Sequence, residues 1–198
     1  MVPAVEAAVL VPIKAFRDAK GRLAADIDPP ARADLARMMA ARVLTAARPF
    51  LAFVVCDDAA VAEWATTQGA RVIWTPKLGL NGAIDHAVAH VADEGAEHVV
   101  IAHGDLPLAS SFEHLIVRDT VTLVPDHRLD GTNVQARPTT LALPAMYGAG
   151  SFRHHLRAAL ALGHTVRVVT DPRLARDVDT IDDLRDLEIR IGLSQGCC

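Results

Sequence analysis

Along the first hundred residues, short runs that are apolar throughout alternate with longer stretches whose apolar positions recur every three or four residues. The runs predict buried strands and the stretches predict helices, because a covered strand hides both faces and a helix hides one stripe. Ala7–Pro12 is the first strand. Pro29 and Pro30 suit the first turn of a helix, and Leu35, Met38, Met39, Val43 and Leu44 carry an apolar stripe between Arg32 and Arg48, where Pro49 stops it. Phe50–Cys56 is the second strand; Asp57 or Asp58 can cap a helix running to Gln68, and Gly69 ends it. Arg71–Trp74 is the third strand, Leu78–Gly82 opens a helix that closes near Gly95, and Val99–Ala102 is the fourth strand. Beyond Asp105 the rhythm loosens. Val121–Val124, Thr139–Leu143 and Val166–Val169 predict strands, Asp130–Asn133 a turn, Ser151–Leu162 a helix, and a last helix starts near Thr180. Such alternation predicts an α/β fold, a Rossmann-like mixed and mostly parallel sheet with helices on both faces. With no repeat or low-complexity linker, residues 1–198 read as a single domain, with a core at about 7–190 and a short tail at 191–198.

Composition narrows the class. Of 198 residues, 51% are apolar and 22% charged, which excludes disorder. The net charge is −4, from 20 Lys+Arg against 24 Asp+Glu. That balance argues against nucleic acid and anionic membrane as partners, since both require a basic face. Aromatics are only 4%, so the core is aliphatic and stacking platforms for single strands are few. No run approaches the ~18–20 apolar residues that span a bilayer. The start, Met1–Val-Pro-Ala-Val-Glu6, lacks the basic opening of a signal peptide. Cys56 lies inside an apolar run, and the adjacent pair Cys197 and Cys198 makes neither a disulfide framework nor a metal site. A cytoplasmic protein fits these features best.

Ligands of an open parallel sheet gather at the carboxyl ends of its strands, so the segments after the strands are the places to search. Between Pro12 and Leu23, Lys14, Arg17, Lys20 and Arg22 face one Asp18, a local charge of +3. Cations and free N–H groups beyond a strand suit a polyphosphate, and a solvated basic loop is the plain alternative. The loop has neither the Gly-Lys-Ser/Thr of a Walker sequence nor a Gly-x-Gly-x-x-Gly fingerprint. Asp105, where the fourth strand emerges, could hold Mg²⁺ or simply cap the turn with Pro107. Asp177 and Asp179, two apart in extended chain, lie on one side just before Thr180, which can cap the last helix. A basic loop and two separated acidic sites together suggest metal-assisted nucleotidyl transfer. The glycines and Ser151 between Tyr147 and His155 could bind a small anion at a helix start, with an N-capping serine as the alternative. His154, His155 and the other histidines lack metal-ligand spacing and read as surface or ordinary core. The missing Gly-x-Ser-x-Gly elbow and the mid-strand position of Cys56 argue against a Ser or Cys hydrolase.

Six segments in order, Val11–Leu23, Gly79–Gly82, Gly104–Pro107, Gly131–Asn133, Gly148–Phe152 and Asp177–Thr180, carry a resemblance over roughly residues 7–190. The chain resembles the phospholactate/phosphoenolpyruvate guanylyltransferases of coenzyme F420 biosynthesis, which share a nucleotide-diphospho-sugar transferase, glycosyltransferase-A-like fold. The resemblance implies that GMP passes from GTP to a small phosphorylated carboxylic acid with release of pyrophosphate. By that likeness Lys14, Lys20 and Arg22 hold the GTP phosphates, and Asn81 and Gly82 lie near the nucleoside. Asp105 with Asp177, Asp179 or both binds Mg²⁺, and Thr132, Gly148 and Ser151 hold the acid. The acid is phosphoenolpyruvate, 2-phospho-L-lactate or 3-phosphoglycerate. The loop carries Gly21 where a small hydroxyl residue is common, and His103–Gly104 and Asn133–Ala136 also depart from the family pattern. A homodimer is compatible with the sequence, and an unstable product implies handover to a downstream transferase. The competing readings are a molybdenum-cofactor-type guanylyl- or cytidylyltransferase, whose usual first loop is glycine-rich with Arg-Met-Gly, a sugar-phosphate nucleotidyltransferase, and a non-catalytic nucleotide-binding domain.

Overall fold

A computed structural model of the protein describes residues 5–187. Strands β1 (Val5–Pro12), β2 (Leu51–Cys56), β3 (Arg71–Trp74) and β4 (Ala96–Ala102) are mutually parallel, side by side as β3-β2-β1-β4. Their apolar runs leave no polar face because helices cover both sides. In β1, Ala7 to Val11 are at most 1% exposed, with Leu10 in register with Phe53 on one side and Ile101 on the other. Helices α1 (Pro29–Ala46) and α2 (Ala59–Thr67) pack on one face of the sheet. Helices α3 (Gly79–Asp93) and α4 (Ser151–Ala161) pack on the other.

Local chemistry sets the helix ends. The Asp28 carboxylate accepts from the Ala31 N–H at 2.8 Å and caps α1, so the helix begins at Pro29 and includes both prolines, earlier than the apolar stripe alone suggests. Of the two candidates for the α2 cap, Asp58 serves, accepting from the Val61 N–H at 3.1 Å. Gly69, at φ 79, supplies the left-handed turn that ends the segment.

The second half of the sheet corrects one expectation. Thr139–Leu143 is not a strand; the strand is β6 (Thr132–Pro138), inserted antiparallel between β4 and β5 (Thr120–Pro125). β7 (Thr165–Val168) closes that edge, parallel to β5. The sequence hides β6 because Asn133, Gln135 and Arg137 are polar, although all three are buried. Residues 139–143 bend into a loop that offers the carbonyls of Leu141 and Leu143 to the Arg137 guanidinium, which satisfies a buried cation as a straight strand could not. The turn lies earlier as well: the Asp126 N–H donates to Gly131 O at 3.0 Å, and Thr132 already belongs to the sheet.

Helical backbone resumes at residues 181–187. Thr180 caps it by a reciprocal pair: its hydroxyl donates to Asp183 Oδ2 at 2.8 Å and accepts from the Asp183 N–H at 3.3 Å. No helix among the described residues is long and apolar enough to cross a membrane. Positions 188–190 of the expected core and the tail at 191–198, with Cys197 and Cys198, lie outside the described residues.

Candidate active site

The basic loop after β1 is anchored from beneath. Phe16 and Leu23 are buried, each in a short 3₁₀ turn. The Phe16 ring meets the edge of Trp64 at 5.0 Å, and the Arg37 guanidinium lies over it at 5.0 Å. Arg17 ion-pairs with Asp58, the cap of α2. These anchors hold Lys20 at φ 55, a left-handed backbone that a side-chain-bearing residue rarely adopts. Its ammonium lies 2.7 Å from Asp105 Oδ2 and 3.1 Å from Asp179 Oδ1. Arg22 is exposed and reaches Asp179 Oδ2 at 3.3 Å, while Lys14 is exposed at the cavity rim.

Asp105 leaves the end of β4; Asp177 and Asp179 arrive from the segment before the last helix. One oxygen from each lies within 4.8 Å of the others. The two stretches are stitched together by the Val178 N–H donating to Asp105 O at 3.3 Å. Asn133 adds a second stitch, its amide donating to Leu174 O at 3.0 Å and to Asp177 Oδ1 at 3.3 Å. Burial works against ionised Asp105, but Lys20 and then His103 outweigh it and hold its carboxyl below the ordinary range. Burial likewise pulls the Lys20 ammonium down, and Asp105 and Asp179 more than restore it. Asp177 goes the other way, raised first by burial and then by Asp105. The Lys20 ammonium reaches two of the three carboxylates and Arg22 reaches only Asp179, and Asp105 Oδ1 is buried without a hydrogen-bond partner among the described residues. An all-oxygen donor set with excess negative charge and an orphaned oxygen fits a hard divalent cation.

A cavity of about 450 Å³ opens from this cluster toward the ends of β1, β2 and β3. Lys14 and Lys20 line it near the carboxylates; Asp57, Thr75, Leu80 and Met39 are among its other lining residues. Asn81 and Gly82 do not line it themselves. The Asn81 side chain instead clamps the Tyr147 backbone, accepting from its N–H at 2.7 Å and donating to its carbonyl at 3.2 Å. Gly82 lies in the first turn of α3 against Leu78, and Gly79, Leu80 and Ala83 present that helix to the cavity.

Thr132, Gly148 and Ser151 form one cluster. The Thr132 N–H donates to Ser151 Oγ at 2.9 Å, and the Ser151 N–H donates to Gly148 O at 3.1 Å. Ser151 is therefore not the cap of α4; Gly150, at φ 69, occupies that position. Thr132 and Ser151 are 1% and 2% exposed and do not line the cavity, while Gly148, at φ 129, is exposed. Asn133 joins this cluster to the carboxylates through its contact with Asp177. Sequence alone assigns no site role to Asp57 and Thr75, which the strand-end rule reaches after β2 and β3; it offers Asn133 only within a turn that could contact substrate, and His155 as surface or ordinary core. Cys56 is buried, and burial pushes its thiol up, consistent with a structural residue.

A half-parallel sheet with a basic loop, a carboxylate cluster and a cavity at its strand ends defines a nucleotidyltransferase-like enzyme. The architecture matches a Desulfovibrio desulfuricans protein assigned as a nucleotide-diphospho-sugar transferase, with a TM-score of 0.74 at 18% identity over 92% of this chain and 86% of that one. It also matches a nucleotidyl transferase from Methanothermobacter thermautotrophicus, with a TM-score of 0.67 at 16% identity over 94% and 99% of the two chains. Residues 7–192 match the family described as Guanylyl transferase CofC like. The phosphoenolpyruvate guanylyltransferase of Rubrobacter xylanophilus is 36% identical over 93% of this chain and 94% of its own. The 2-phospho-L-lactate guanylyltransferase of Methanothermobacter thermautotrophicus is 27% identical over 90% and 82%. The chain belongs to the CofC-like guanylyltransferase family.

Proposed function

We propose that the enzyme joins GMP from GTP to a small phosphorylated three-carbon acid, releasing pyrophosphate, in coenzyme F420 biosynthesis in the cytoplasm. The acid is phosphoenolpyruvate, 2-phospho-L-lactate or 3-phosphoglycerate, and the 36% identical relative from Rubrobacter xylanophilus is named for phosphoenolpyruvate. The observation that carries the reading is the Lys20 ammonium held between Asp105 and Asp179 at the inner end of the cavity. A cation site and a phosphate-binding lysine belong together where a triphosphate is cleaved.

The chemistry asks little proton transfer of the protein. An oxygen of the acid's phosphate attacks the α-phosphorus of GTP, the bond from that phosphorus to the bridging oxygen breaks, and pyrophosphate leaves. The attacking phosphate is already ionised, so alignment and charge neutralisation are the protein's tasks. Lys14, Lys20 and Arg22 carry the cationic part and hold the phosphates. Asp105, Asp177 and Asp179 are the residues that would hold Mg²⁺, which neutralises charge on the α-phosphate and leaving group when bound. The cavity takes the nucleoside, and Thr132, Gly148 and Ser151 supply the donors for the acid. The first loop, Lys14–Arg22, lacks the Arg-Met-Gly of the molybdenum-cofactor-type alternative.

The test is incubation with Mg²⁺, each nucleoside triphosphate and each of the three acids, reading pyrophosphate release and adduct mass. A guanosine-diphosphate-linked adduct with one acid is expected. Pyrophosphate release with no acid present, or none with any acid, removes the reading.

A further inference from the structure

The strap at residues 145–148 is held by side chains from three places. The Ala145 N–H donates to Asp85 Oδ1 at 2.8 Å, the Met146 N–H to His155 Nε2 at 3.0 Å, and the Tyr147 N–H to Asn81 Oδ1 at 2.7 Å. Three successive amides are thus consumed. The next, the Gly148 N–H, has no protein acceptor among the described residues and lies on exposed backbone. His155 alone of the three also reaches the acid-binding cluster. Its Nδ1 lies 3.0 Å from Thr132 Oγ1, and the residue is fully buried.

Those two contacts fix the tautomer. A backbone N–H can only donate, so Nε2 must be the acceptor and carry no proton. Neutral imidazole then bears its proton on Nδ1 and donates it to the Thr132 hydroxyl. Burial pushes the imidazole down to about 4, aided by His103, His154 and Arg137, so it is neutral at neutral pH. The ring cannot turn freely, because Tyr147 packs edge-on against it at 4.8 Å and itself lies 5.1 Å from His103. Thr132 is consequently held on both sides, its N–H by Ser151 Oγ and its Oγ1 by His155. Its hydroxyl proton has no acceptor among the described residues.

We propose that His155, as its Nδ1–H tautomer, is a positioning residue that locks the strap bearing Gly148 to Thr132 and so presets the donors for the phosphorylated acid. The inference rests on the assignment of Thr132, Gly148 and Ser151 to the acid under Proposed function. His155 touches neither substrate; it acts through the atoms that do. The ligand side of the pair is an oxyanion, because every group it arranges is a donor.

Two measurements test it. In ¹⁵N-edited NMR of the histidine rings, with His155 identified by the resonances lost in His155→Gln, Nδ1 is protonated and Nε2 is not. In kinetics, His155→Leu, which keeps the volume and removes both nitrogens, raises KM for the acid about tenfold and leaves KM for GTP within about twofold. His155→Gln, which offers one donor and one acceptor, recovers most of that loss. Thr132→Val added to His155→Leu costs little more than either change alone, because both break one chain of contacts. An Nε2–H ring overturns the proposal, and that reading needs only the folded wild-type protein. Equal rises in both KM values, additive effects or no recovery by Gln also overturn it. A wild-type enzyme with no acid-dependent turnover is a different failure, removing the functional reading while the tautomer stands.

Discussion

Asp177 and Asp105 are neighbouring carboxylates that depart in opposite directions from the ordinary range, and the difference comes from where Lys20 sits. Lys20 compensates Asp105, whereas Asp177 is met by a backbone N–H and the Asn133 amide and by no cation among the described residues. Ionised Asp177 therefore opposes folding in the cation-free protein at neutral pH, and stability is gained as pH falls through its raised value. Asp177→Asn should stabilise the cation-free protein by on the order of 1 kcal/mol, or ~2–4 °C in melting temperature, while abolishing the Mg²⁺-induced rise expected of the wild type. Calorimetry with and without Mg²⁺ reads both effects. Because Asp177 must lose its proton to hold a cation, activity should fall on the acid side above the usual carboxylate range. That limb should move to lower pH as Mg²⁺ is raised, and a pH–rate profile at two Mg²⁺ concentrations checks it. Asp105→Asn should lower turnover by at least about a hundredfold with an unchanged circular dichroism spectrum. These three aspartates were legible because acidic residues at strand ends and before a capped helix stand out against apolar runs. His155 was not, since one histidine on a helix facing the core reads the same whether it fills space or carries hydrogen bonds.

Among the elements, α1 to α3 and β1 to β4 follow from periodicity because each has one job, covering or being covered. Asp58 is an exception that does two: it caps α2 and pairs with Arg17 of the basic loop. Asp58→Ala should cost about 1 kcal/mol from the cap, and the exposed ion pair should add little. A melting temperature lowered by ~2–4 °C, with Arg17→Ala nearly neutral, would show that division. β6 escaped the sequence because its polar residues are buried against partners far along the chain. Gln135 and Arg137 alternate with Val134 and Ala136 in strand fashion, yet nothing local reveals that Leu141 and Leu143 will supply carbonyls to the guanidinium. Thr132 was assigned to a turn for the same reason, although its link to Ser151 matters more to the site than the turn does.

For the whole molecule, the net charge of −4 conceals a segregation: residues 12–23 carry +3, and Asp171–Glu188 carries seven acids against three arginines. The fold brings parts of these segments together, Lys20 and Arg22 against Asp179. Attraction of a polyanion to the exposed cations Lys14 and Arg22 weakens as salt shortens the screening length from ~30 Å at 0.01 M to ~3 Å at 1 M. KM for GTP should thus rise several-fold across that range in steady-state assays, with a smaller change in kcat. The same closure bears on the order in which the molecule is made. Lys20 meets Asp105 across 85 positions and Asp179 across 159, so the site is built from contacts of very long sequence separation. A ribosome that has released the chain through Asp105 has released β1 to β4 but only one of the three carboxylates. Contacts so distant close late, because loop entropy must be overcome before they reward the chain. A nascent chain stalled before Asp177 would therefore be folded in part yet lack two of the three carboxylates, and the site would be complete only once Asp177 and Asp179 had emerged.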